Sequence, residues 1–529
     1  MYDLIIKNGT IIDGSGTKAF KANVAVKDGC IASICADGEA KQTINALGKI
    51  VAPGFIDIHR HCDAVVFKPE FGEIELRQGI TTIINGNCGL SIAPSPPKHR
   101  KEIMQYLRPI MGSLPKEVEF DSFSEYLNTV ESQRLPLNFA SHVGNGTLRM
   151  AAKGFETSAL KENDYALIHH YLNDALNAGA FGVSMGLIYV PEYLYDFAAL
   201  SKALAPIKGK NIPLVTHIRG EGDLLIQSLE EVINIAKHLE VPLHISHFKC
   251  VGKQNWKHLL SKAIELLEVE KSKGLNISFD VYPWEAGSTQ LVQVLPPEYL
   301  EGGLVQTKQR LQNPKLRQNC KKIMETSQTA YENLISLVGW ENIMISAVQS
   351  AKNQKYVGMR VNEIAESVGV DPYTCAFDLL VEEDCNVSIV NFIACEEDIK
   401  TILQHRDSYI ISDSIYTDSG RPHPRQYGTF PKILQEYVRE RKLLSLEQAI
   451  HKFTGAPAKG MGIKGKGLLH KGFDADITIF DPNTVKNNAD YVQPMCMATG
   501  FSHVFVNGVL ANDHDSFINS GAGKVLRKK

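Results

Sequence analysis

The order of apolar and polar positions divides the chain into two β-rich ends and a middle in which strands alternate with helices. Residues 1–49 have the pattern of short strands separated by turns such as Asn8-Gly9. The segments GLLHKGFDADITIFDP and HVFVNGVLAN near the C-terminus have the same pattern of short strand-like runs separated by turns. Because chain ends tend to lie near one another, the pattern predicts one small β-sandwich domain formed by residues 1–49 and 465–529.

The middle, residues 50–464, has the alternation that is typical of a parallel sheet with helical crossovers. Helix patterns lie near residues 163–177 and 222–239, and Ser445 with Gln448 forms a predicted capping box. The predicted strands are residues 50–59, 80–86, 137–142, 180–185, 212–217, 241–247, 275–282 and 407–413. Eight such strands predict a (β/α)₈ barrel of the TIM type, in which functional groups gather at the carboxyl ends of the strands.

The regular alternation stops at about residues 284–358, a stretch too long for a simple loop between a strand and a helix. It predicts a lid-like insertion late in the barrel, over the barrel mouth. Within it, residues 285–300 contain no Lys or Arg and carry four neighbouring apolar residues, namely Leu291, Val292, Val294 and Leu295.

Composition and charge place the chain among ordinary globular proteins with a large core. Hydrophobic residues make up 44% of the 529 positions, and 56 basic residues nearly balance 59 acidic ones, so neither a nucleic-acid nor a membrane partner is favoured. No signal-peptide pattern follows Met1, and no apolar run is long enough to cross a bilayer. Ten cysteines without framework spacing favour reduced thiols, so we expect a cytoplasmic protein. The oligomeric state stays open.

Six potential metal ligands fall at predicted strand ends. Two of them, in the stretch IVAPGFIDIHRHCD, lie two residues apart in a strand and therefore point to one face. Taken singly, each has an ordinary explanation, since a Cys in a glycine-rich turn is commonly a buried filler and an Asp after a strand is commonly a cap. Together they offer imidazole, thiolate and carboxylate groups that suit zinc, and they predict a zinc centre. The six are His59, His61, Cys88, His217, His247 and Asp413.

Ordered motifs along nearly the whole chain resemble the amidohydrolase superfamily and, within it, the D-aminoacylases, which are N-acyl-D-amino-acid deacylases. The motifs include APGFIDIHRHCD, NGNCGLSIAPSP, THIRGEGD, HISHFKCVGKQNW, DVYPWEAGST and HPRQYGTFP. The resemblance implies zinc-dependent hydrolysis of the amide bond of an N-acyl-D-amino acid. It also implies that Cys88, His217 and His247 hold one tightly bound zinc. A second, weaker site would consist of His59 and His61, with Cys88 shared between the two.

The same resemblance implies roles for five further side chains. Asp413 matches the family's catalytic carboxylate, which accepts the proton of the attacking water and passes it to the departing amine. Lys249, Tyr282, Ser288 and Arg425 match positions that bind the substrate's α-carboxylate and the scissile amide. Arginine offers a planar fork for a carboxylate, and the other three offer single donors.

The sequence departs from the family pattern in three places. Arg60 and Cys62 stand between and beside the two histidines of HRHCD, and strand parity turns them away from the metal. Asn145 stands where a histidine is expected, so its part in substrate binding is open. In residues 285–300, the lack of a cation predicts neutral or apolar D-side chains, because burial of an unpaired carboxylate is costly.

Other activities remain as alternatives. Dihydroorotases and hydantoinases open cyclic amides on the same scaffold, but commonly bridge two metals with a modified lysine, and the strand around FGVSMG offers none. A related linear amide such as an N-acyl-D-dipeptide stays open. A non-catalytic relative should have lost ligands, and none of the six is missing.

Overall fold

The computed structural model describes residues 1–34, 37–326 and 331–529. Its strands are β1 (Tyr2–Ile11), β2 (Phe20–Lys27), β3 (Cys30–Ile34), β4 (Ala40–Asn45), β5 (Ile50–Pro53), β6 (Phe55–Asp57), β7 (Ile80–Asn85), β8 (Asn138–Ser141), β9 (Val143–Gly144), β10 (Val183–Gly186), β11 (Leu214–His217), β12 (Leu243–Ile245), β13 (Ile277–Val281), β14 (Ala286–Gln290), β15 (Ile343–Ala347), β16 (Ser388–Phe392), β17 (Ser408–Ile410), β18 (Ile477–Phe480), β19 (Phe501–Val506), β20 (Val509–Asp513) and β21 (Ser516–Phe517).

The α-helices are distributed over the middle of the chain. They are α1 (Glu73–Leu76), α2 (Arg100–Met111), α3 (Phe123–Glu131), α4 (Asn145–Lys153), α5 (Glu162–Ala178), α6 (Phe197–Ala203), α7 (Leu225–Leu239), α8 (His258–Ser272), α9 (Pro297–Leu300), α10 (Leu304–Gln312), α11 (Pro314–Thr326), α12 (Leu334–Val338), α13 (Val361–Val368), α14 (Pro372–Glu382), α15 (Glu396–Gln404), α16 (Arg425–Lys432), α17 (Leu446–Phe453) and α18 (Gly455–Met461).

Three helix predictions are confirmed in their main features. Helix α5 ends at Gly179, which adopts a left-handed conformation with φ of 96° and closes the helix. Helix α7 covers most of the predicted residues 222–239. Helix α17 begins with the predicted capping box, in which Ser445 and Gln448 bond to each other's backbone N–H groups.

One sheet is built from both ends of the chain. Its strand order is β21-β20-β19-β18-β5-β1-β2-β3, and β4 also pairs with β1. Alternating residues of these strands, among them Leu4, Ile6, Ile477 and Ile479, pack into a common apolar cluster. The predicted association of the two β-rich ends is therefore confirmed.

Eight parallel strand positions form a closed barrel in the middle of the chain. Strands β6, β7 and β8 are neighbours, β9 continues β8 after a single residue, and β10, β11, β12, β13 and β17 follow in order. The ends of β17 and β6 close the circle, because Asp413 N donates to His59 O at 3.0 Å and His61 N donates to Ser414 O at 3.0 Å. The predicted (β/α)₈ barrel is confirmed, and its closure places Asp413 beside the two histidines.

The single strand predicted for residues 50–59 is wrong, since this stretch forms two strands in different sheets. Ile50–Pro53 pairs with β1 and β18, whereas Phe55–Asp57 pairs with β7. Gly54 joins them, and a Cβ added there would lie 2.1 Å from Thr81 Oγ1, so the backbone passes directly over β7. An uninterrupted apolar run does not reveal where the chain leaves one sheet for the next.

The insertion lies between β13 and α15 and extends further than residue 358. It contains helices α9 to α14 and a three-stranded antiparallel sheet in the order β14-β16-β15. The central strand β16 (Ser388–Phe392) pairs with strands distant in sequence, so no local turn marks it as part of this unit. Residues 327–330 of the predicted insertion lie outside the described residues. Within the described ranges, every helix is too short or too polar to cross a membrane.

Candidate active site

The six predicted ligands meet at the carboxyl ends of the barrel strands, and all six are buried. Cys88 Sγ lies 3.3 Å from His59 Nε2 and 3.4 Å from His247 Nε2. Asp413 Oδ1 lies 3.4 Å from the Nε2 atoms of both His59 and His61. His217 packs against His247 with ring centroids 4.4 Å apart and interacts with the Cys88 thiol, so the structure brings all six together.

The ligand atoms form overlapping sets rather than two separate sites. Three triplets have their ligand atoms within 4.8 Å of one another, and their members are His59, Cys88 and His247, then His59, His61 and Asp413, then His217, Glu221 and His247. The contact between His59 and Cys88 is the one expected if Cys88 is shared between the predicted tight site and the predicted weaker site, and this division stays a prediction.

The donor set fits a zinc-type cation. It combines a thiol, imidazoles and a carboxylate, which are the ligand types that zinc prefers. The remote nitrogens of two ligands face carboxylates, since His59 Nδ1 lies 3.5 Å from Asp280 Oδ2 and His247 Nδ1 lies 3.1 Å from Glu221 Oε1. Such outer carboxylates orient ligating imidazoles and fix which nitrogen carries the proton.

Three of these residues hold an unusual backbone conformation. Cys88, His247 and Asp413 have φ values of 56°, 35° and 50°, in the left-handed region that non-glycine residues rarely adopt. Each stands just beyond the end of its strand, where the turn directs the side chain into the barrel mouth. Strained conformations of this kind are concentrated at functional sites.

The electrostatic environment favours the ionised forms of Cys88 and Asp413. Burial raises the pKa of the Cys88 thiol, but the charges of His59 and His247 outweigh it and hold this pKa well below its ordinary range. Burial likewise opposes ionisation of Asp413, and the guanidinium of Arg425, 2.8 Å away, keeps its pKa well below its ordinary range. A thiolate ligand and an ionised carboxylate are therefore available together.

The four predicted substrate-binding residues line the same cavity as five of the six predicted ligands, and His59 lies behind the wall. Lys249 Nζ lies 2.6 Å from Glu221 Oε1 and 2.8 Å from His247 Nδ1. The Arg425 guanidinium carbon lies 4.6 Å from the centre of the Tyr282 ring. Ser288, on strand β14 of the insertion, donates to Ile389 O at 2.9 Å. Barrel and insertion thus both contribute to the cavity wall.

Two carboxylates of this site, Glu221 and Asp280, were missed by the sequence interpretation. Glu221 stands four residues after His217 in THIRGEGD, and Asp280 lies in β13, where it also accepts a hydrogen bond from His244 Nε2 at 2.9 Å. Glu221 lies in the motif THIRGEGD and Asp280 begins the motif DVYPWEAGST, so membership of these motifs was the only hint in the sequence. The contacts of the two carboxylates with the imidazoles depend on which strands are neighbours and on the fold of a turn, and the spacing of residues reveals neither.

The apolar residues predicted to face the substrate lie elsewhere. Leu291, Val292, Val294 and Leu295 are buried in the main core, at most 2% exposed, and do not border the cavity. The apolar wall comes from other positions, namely Leu90, Ile110, Ile188, Val251, Leu334, Ile393 and Ile415. An apolar segment predicts burial, but not whether the buried face meets the core or a cavity.

The departures from the family pattern have structural explanations. Arg60 is fully buried and bonds to Asp57 at 3.0 Å and to Glu75, while Cys62 bonds to Asn85. Both point away from the cluster, as strand parity predicted.

Asn145 supports the turn that carries Cys88 and does not border the cavity. Its Nδ2 donates to Glu192 Oε1 at 2.7 Å, and Gly186 N donates to Glu192 Oε2 at 2.8 Å. Burial raises the pKa of Glu192 to about 7. A Cβ at Gly89 would lie 2.0 Å from Glu192 Oε2, so this carboxyl group packs directly against the NCG turn.

Replacing Asn145 by Ala is therefore expected to destabilise the fold by about 1–3 kcal/mol, because the buried Glu192 carboxyl group loses a donor. Urea unfolding of the purified protein measures the change. Asn173, exposed on helix α5, serves as the matched control, and its replacement by Ala should stay within about 0.5 kcal/mol of the parent. Equal stability of both variants would contradict the supporting role of Asn145.

A closed eight-stranded barrel with imidazoles, a thiolate and a carboxylate at its carboxyl ends defines a metal-dependent amidohydrolase. The family model described as the amidohydrolase family matches residues 360–511. The D-aminoacylase of Alcaligenes xylosoxydans xylosoxydans is 31% identical over 529 residues, which cover 100% of this chain and 98% of that protein. The chain belongs to the D-aminoacylase family of amidohydrolases.

Solved structures of related enzymes match this chain over its full length. The N-acyl-D-glutamate deacylase of Bordetella bronchiseptica, crystallised with zinc and a phosphonate mimic of the tetrahedral intermediate, has a TM-score of 0.83 at 30% identity, with 99% of each chain covered. A D-aminoacylase described with a binuclear metal centre, one-metal activation and second-metal attenuation also has a TM-score of 0.83, at 29% identity and 100% coverage of both chains.

Proposed function

We propose that the protein is a zinc-dependent hydrolase that splits N-acyl-D-amino acids with neutral or apolar side chains into a carboxylate and a free D-amino acid. The observation that carries this proposal is the position of Asp413. Its carboxylate faces the imidazole–thiolate cluster on one side and Arg425 on the other, within one cavity. The full-length likeness to a D-aminoacylase and to an N-acyl-D-glutamate deacylase supports hydrolysis of N-acyl-D-amino acids, whereas the side-chain preference rests on the cavity wall.

The metal ligands proposed for the tight site are Cys88, His217 and His247, and His59 and His61 would form the weaker site with Cys88 shared. A zinc ion held there supplies Lewis acidity and lowers the pKa of bound water toward about 7. Glu221 and Asp280 hold the ligand imidazoles in orientation through their remote nitrogens.

Asp413 performs the proton transfers in this proposal. As an ionised carboxylate it accepts a proton from the attacking water, and it then delivers that proton to the nitrogen of the departing amine. Arg425 holds Asp413 by an ion pair of 2.8 Å through Nη1, and its guanidinium group borders the cavity. Its planar fork can therefore bind the α-carboxylate of the substrate.

The charges on the cavity wall support a preference for uncharged side chains. Among the described residues of that wall, the lysine and arginine side chains are Lys249 and Arg425. Lys249 is paired with Glu221, and Arg425 is paired with Asp413 and assigned to the α-carboxylate. A third carboxyl group, that of Glu332, also borders the cavity beside Glu221 and Asp413. An acidic substrate side chain would be buried without a free cation.

A panel of N-acetyl amino acids tests the proposal. The kcat/KM for N-acetyl-D-methionine is expected to exceed that for N-acetyl-D-glutamate by about 10²-fold or more, because the acidic side chain remains unpaired. N-acetyl-L-methionine is the control for handedness. Equal turnover of the two D-substrates would contradict the side-chain preference, and hydrolysis of L-forms but not D-forms would contradict the substrate class.

A further inference from the structure

We propose that Glu332 of the insertion is a positioning residue for the metal centre, acting through the turn that carries Glu221. The inference rests on the proposed metal centre but not on the identity of the substrate. It gives the insertion a second task besides covering the cavity, since the orientation of metal ligands in the barrel would depend on a side chain supplied by the insertion.

The side-chain carboxyl group of Glu332 binds three backbone N–H groups of one barrel turn. It accepts hydrogen bonds from Glu221 N at 2.8 Å, from Gly222 N, and from Leu224 N at 3.4 Å. This turn follows β11, whose last residue is the ligand His217. A buried carboxyl group that accepts several backbone N–H groups fixes the conformation of the turn, because a buried N–H group that loses its acceptor is costly.

The two glycines that flank Glu221 leave room for this contact. A Cβ added at Gly220 would lie 2.9 Å from Glu332 Oε2, and one added at Gly222 would lie 2.8 Å from Glu332 Oε1. Neither glycine has a left-handed φ. Close packing rather than backbone conformation therefore explains the G-E-G sequence, and Glu332 shares that close approach with Leu224 at Gly220 and with Leu337 at Gly222.

Apolar packing holds Glu332 in place from the insertion side. Helix α12 begins two residues later, and its Leu337 packs with Val251 and Ile393 in a separate apolar cluster. Val251 N in turn donates to Glu221 O at 2.8 Å. Glu332 thus binds backbone N–H groups of the turn, and the loop after β12 binds the carbonyl group of Glu221, so the turn is held from both sides.

Glu221 transmits this position to the cluster. Its carboxylate lies 3.1 Å from His247 Nδ1, 4.0 Å from His217 Nε2 and 2.6 Å from Lys249 Nζ. If the turn moves, the partner that orients His247 moves with it. Removal of a residue that hydrogen-bonds to a metal ligand typically weakens metal binding about 10–100-fold. Glu332 acts one step further away, through Glu221, so its removal should cause a loss of affinity at the lower end of that range.

The test is a double-mutant cycle on zinc affinity, measured by competition with a chelator in the absence of substrate. Glu332→Ala is expected to weaken zinc binding about tenfold. In a Glu221→Ala background the same change should have an effect of less than about twofold, because the transmitting carboxylate is already absent. Glu332→Gln, which retains an acceptor oxygen, should restore part of the affinity.

Glu325→Ala is the matched control, since Glu325 is exposed on insertion helix α11 and lies 4.0 Å from Lys321. It should leave zinc affinity unchanged. Gly222→Ala is a second variant that crowds the contact of the turn with both Glu332 and Leu337 of the insertion, and it should weaken zinc binding in the same direction even if Glu332→Ala folds poorly.

Parent-like zinc affinity in Glu332→Ala and Gly222→Ala would overturn the inference, as would an equal effect of Glu332→Ala in both backgrounds. A parent protein that binds zinc but hydrolyses no N-acyl-D-amino acid would contradict the proposed substrate alone. A parent protein that binds no zinc would contradict the metal centre, and the inference with it.

Discussion

Replacing Asp413 by Asn is expected to leave the metal bound and to lower kcat by about 10²–10⁴-fold, the usual contribution of a general acid–base group. The amide keeps the shape of the side chain and can still accept a hydrogen bond from Arg425, but it cannot take up a proton from water. Zinc content of the purified variant and its kcat with N-acetyl-D-methionine, measured on the same preparation, test the two halves of this expectation.

Asp418 provides a matched control for this substitution. Its carboxylate pairs with Lys68 and Arg108 at a distance of 3.3 Å and 3.0 Å, and it does not border the cavity. Asp418→Asn should keep kcat within a few-fold of the parent. Near-normal kcat in Asp413→Asn would mean that another group moves the proton.

Replacing Cys88 by Ala is expected to abolish zinc retention and activity together. Its sulfur touches His59 and His247 at the centre of the cluster, and it is the thiol donor of the proposed tight site. Without it, neutral imidazoles remain as the main donors of the tight site, and metal affinity falls steeply. Elemental analysis after dialysis, followed by assay with added zinc, measures both losses.

Cys375 is the control cysteine, because it is buried in helix α14 of the insertion and outside the described cavity. Cys375→Ala should retain zinc and activity while losing some stability through the small void that it leaves. If Cys88→Ala kept its zinc through dialysis, the thiolate would not be a ligand of the tight site.

The sequence predicted the convergence of the ligands because parallel barrel strands share one carboxyl end. Once His59, Cys88, His217, His247 and Asp413 are each placed at a strand end, the fold alone brings them together. The same reasoning holds whether or not the strand bounds are accurate, which is why the error over residues 50–59 left the position of His59 unaffected.

Features that depend on loop geometry were beyond this reasoning. Glu221 reaches His247 only because a turn folds back over β11, and Glu332 reaches that turn from more than a hundred residues away in sequence. No periodic pattern and no fixed spacing of residues in the sequence predicts either contact. Glu221 and Glu332 are site contacts that the sequence did not predict, whereas Leu291 is a predicted contact that is not made. This apolar residue of the insertion was expected at the substrate and lies in the core instead.

The left-handed backbone of Cys88, His247 and Asp413 has a consequence for the evolution of the protein. Such conformations cost about 1–3 kcal/mol each in non-glycine residues, and glycine would relieve that cost while removing the functional group. A mutant library selected for heat tolerance alone should therefore accumulate glycine at these three positions. If Cys, His and Asp are instead kept when activity is also selected, then activity is maintained at these positions at the expense of thermal stability.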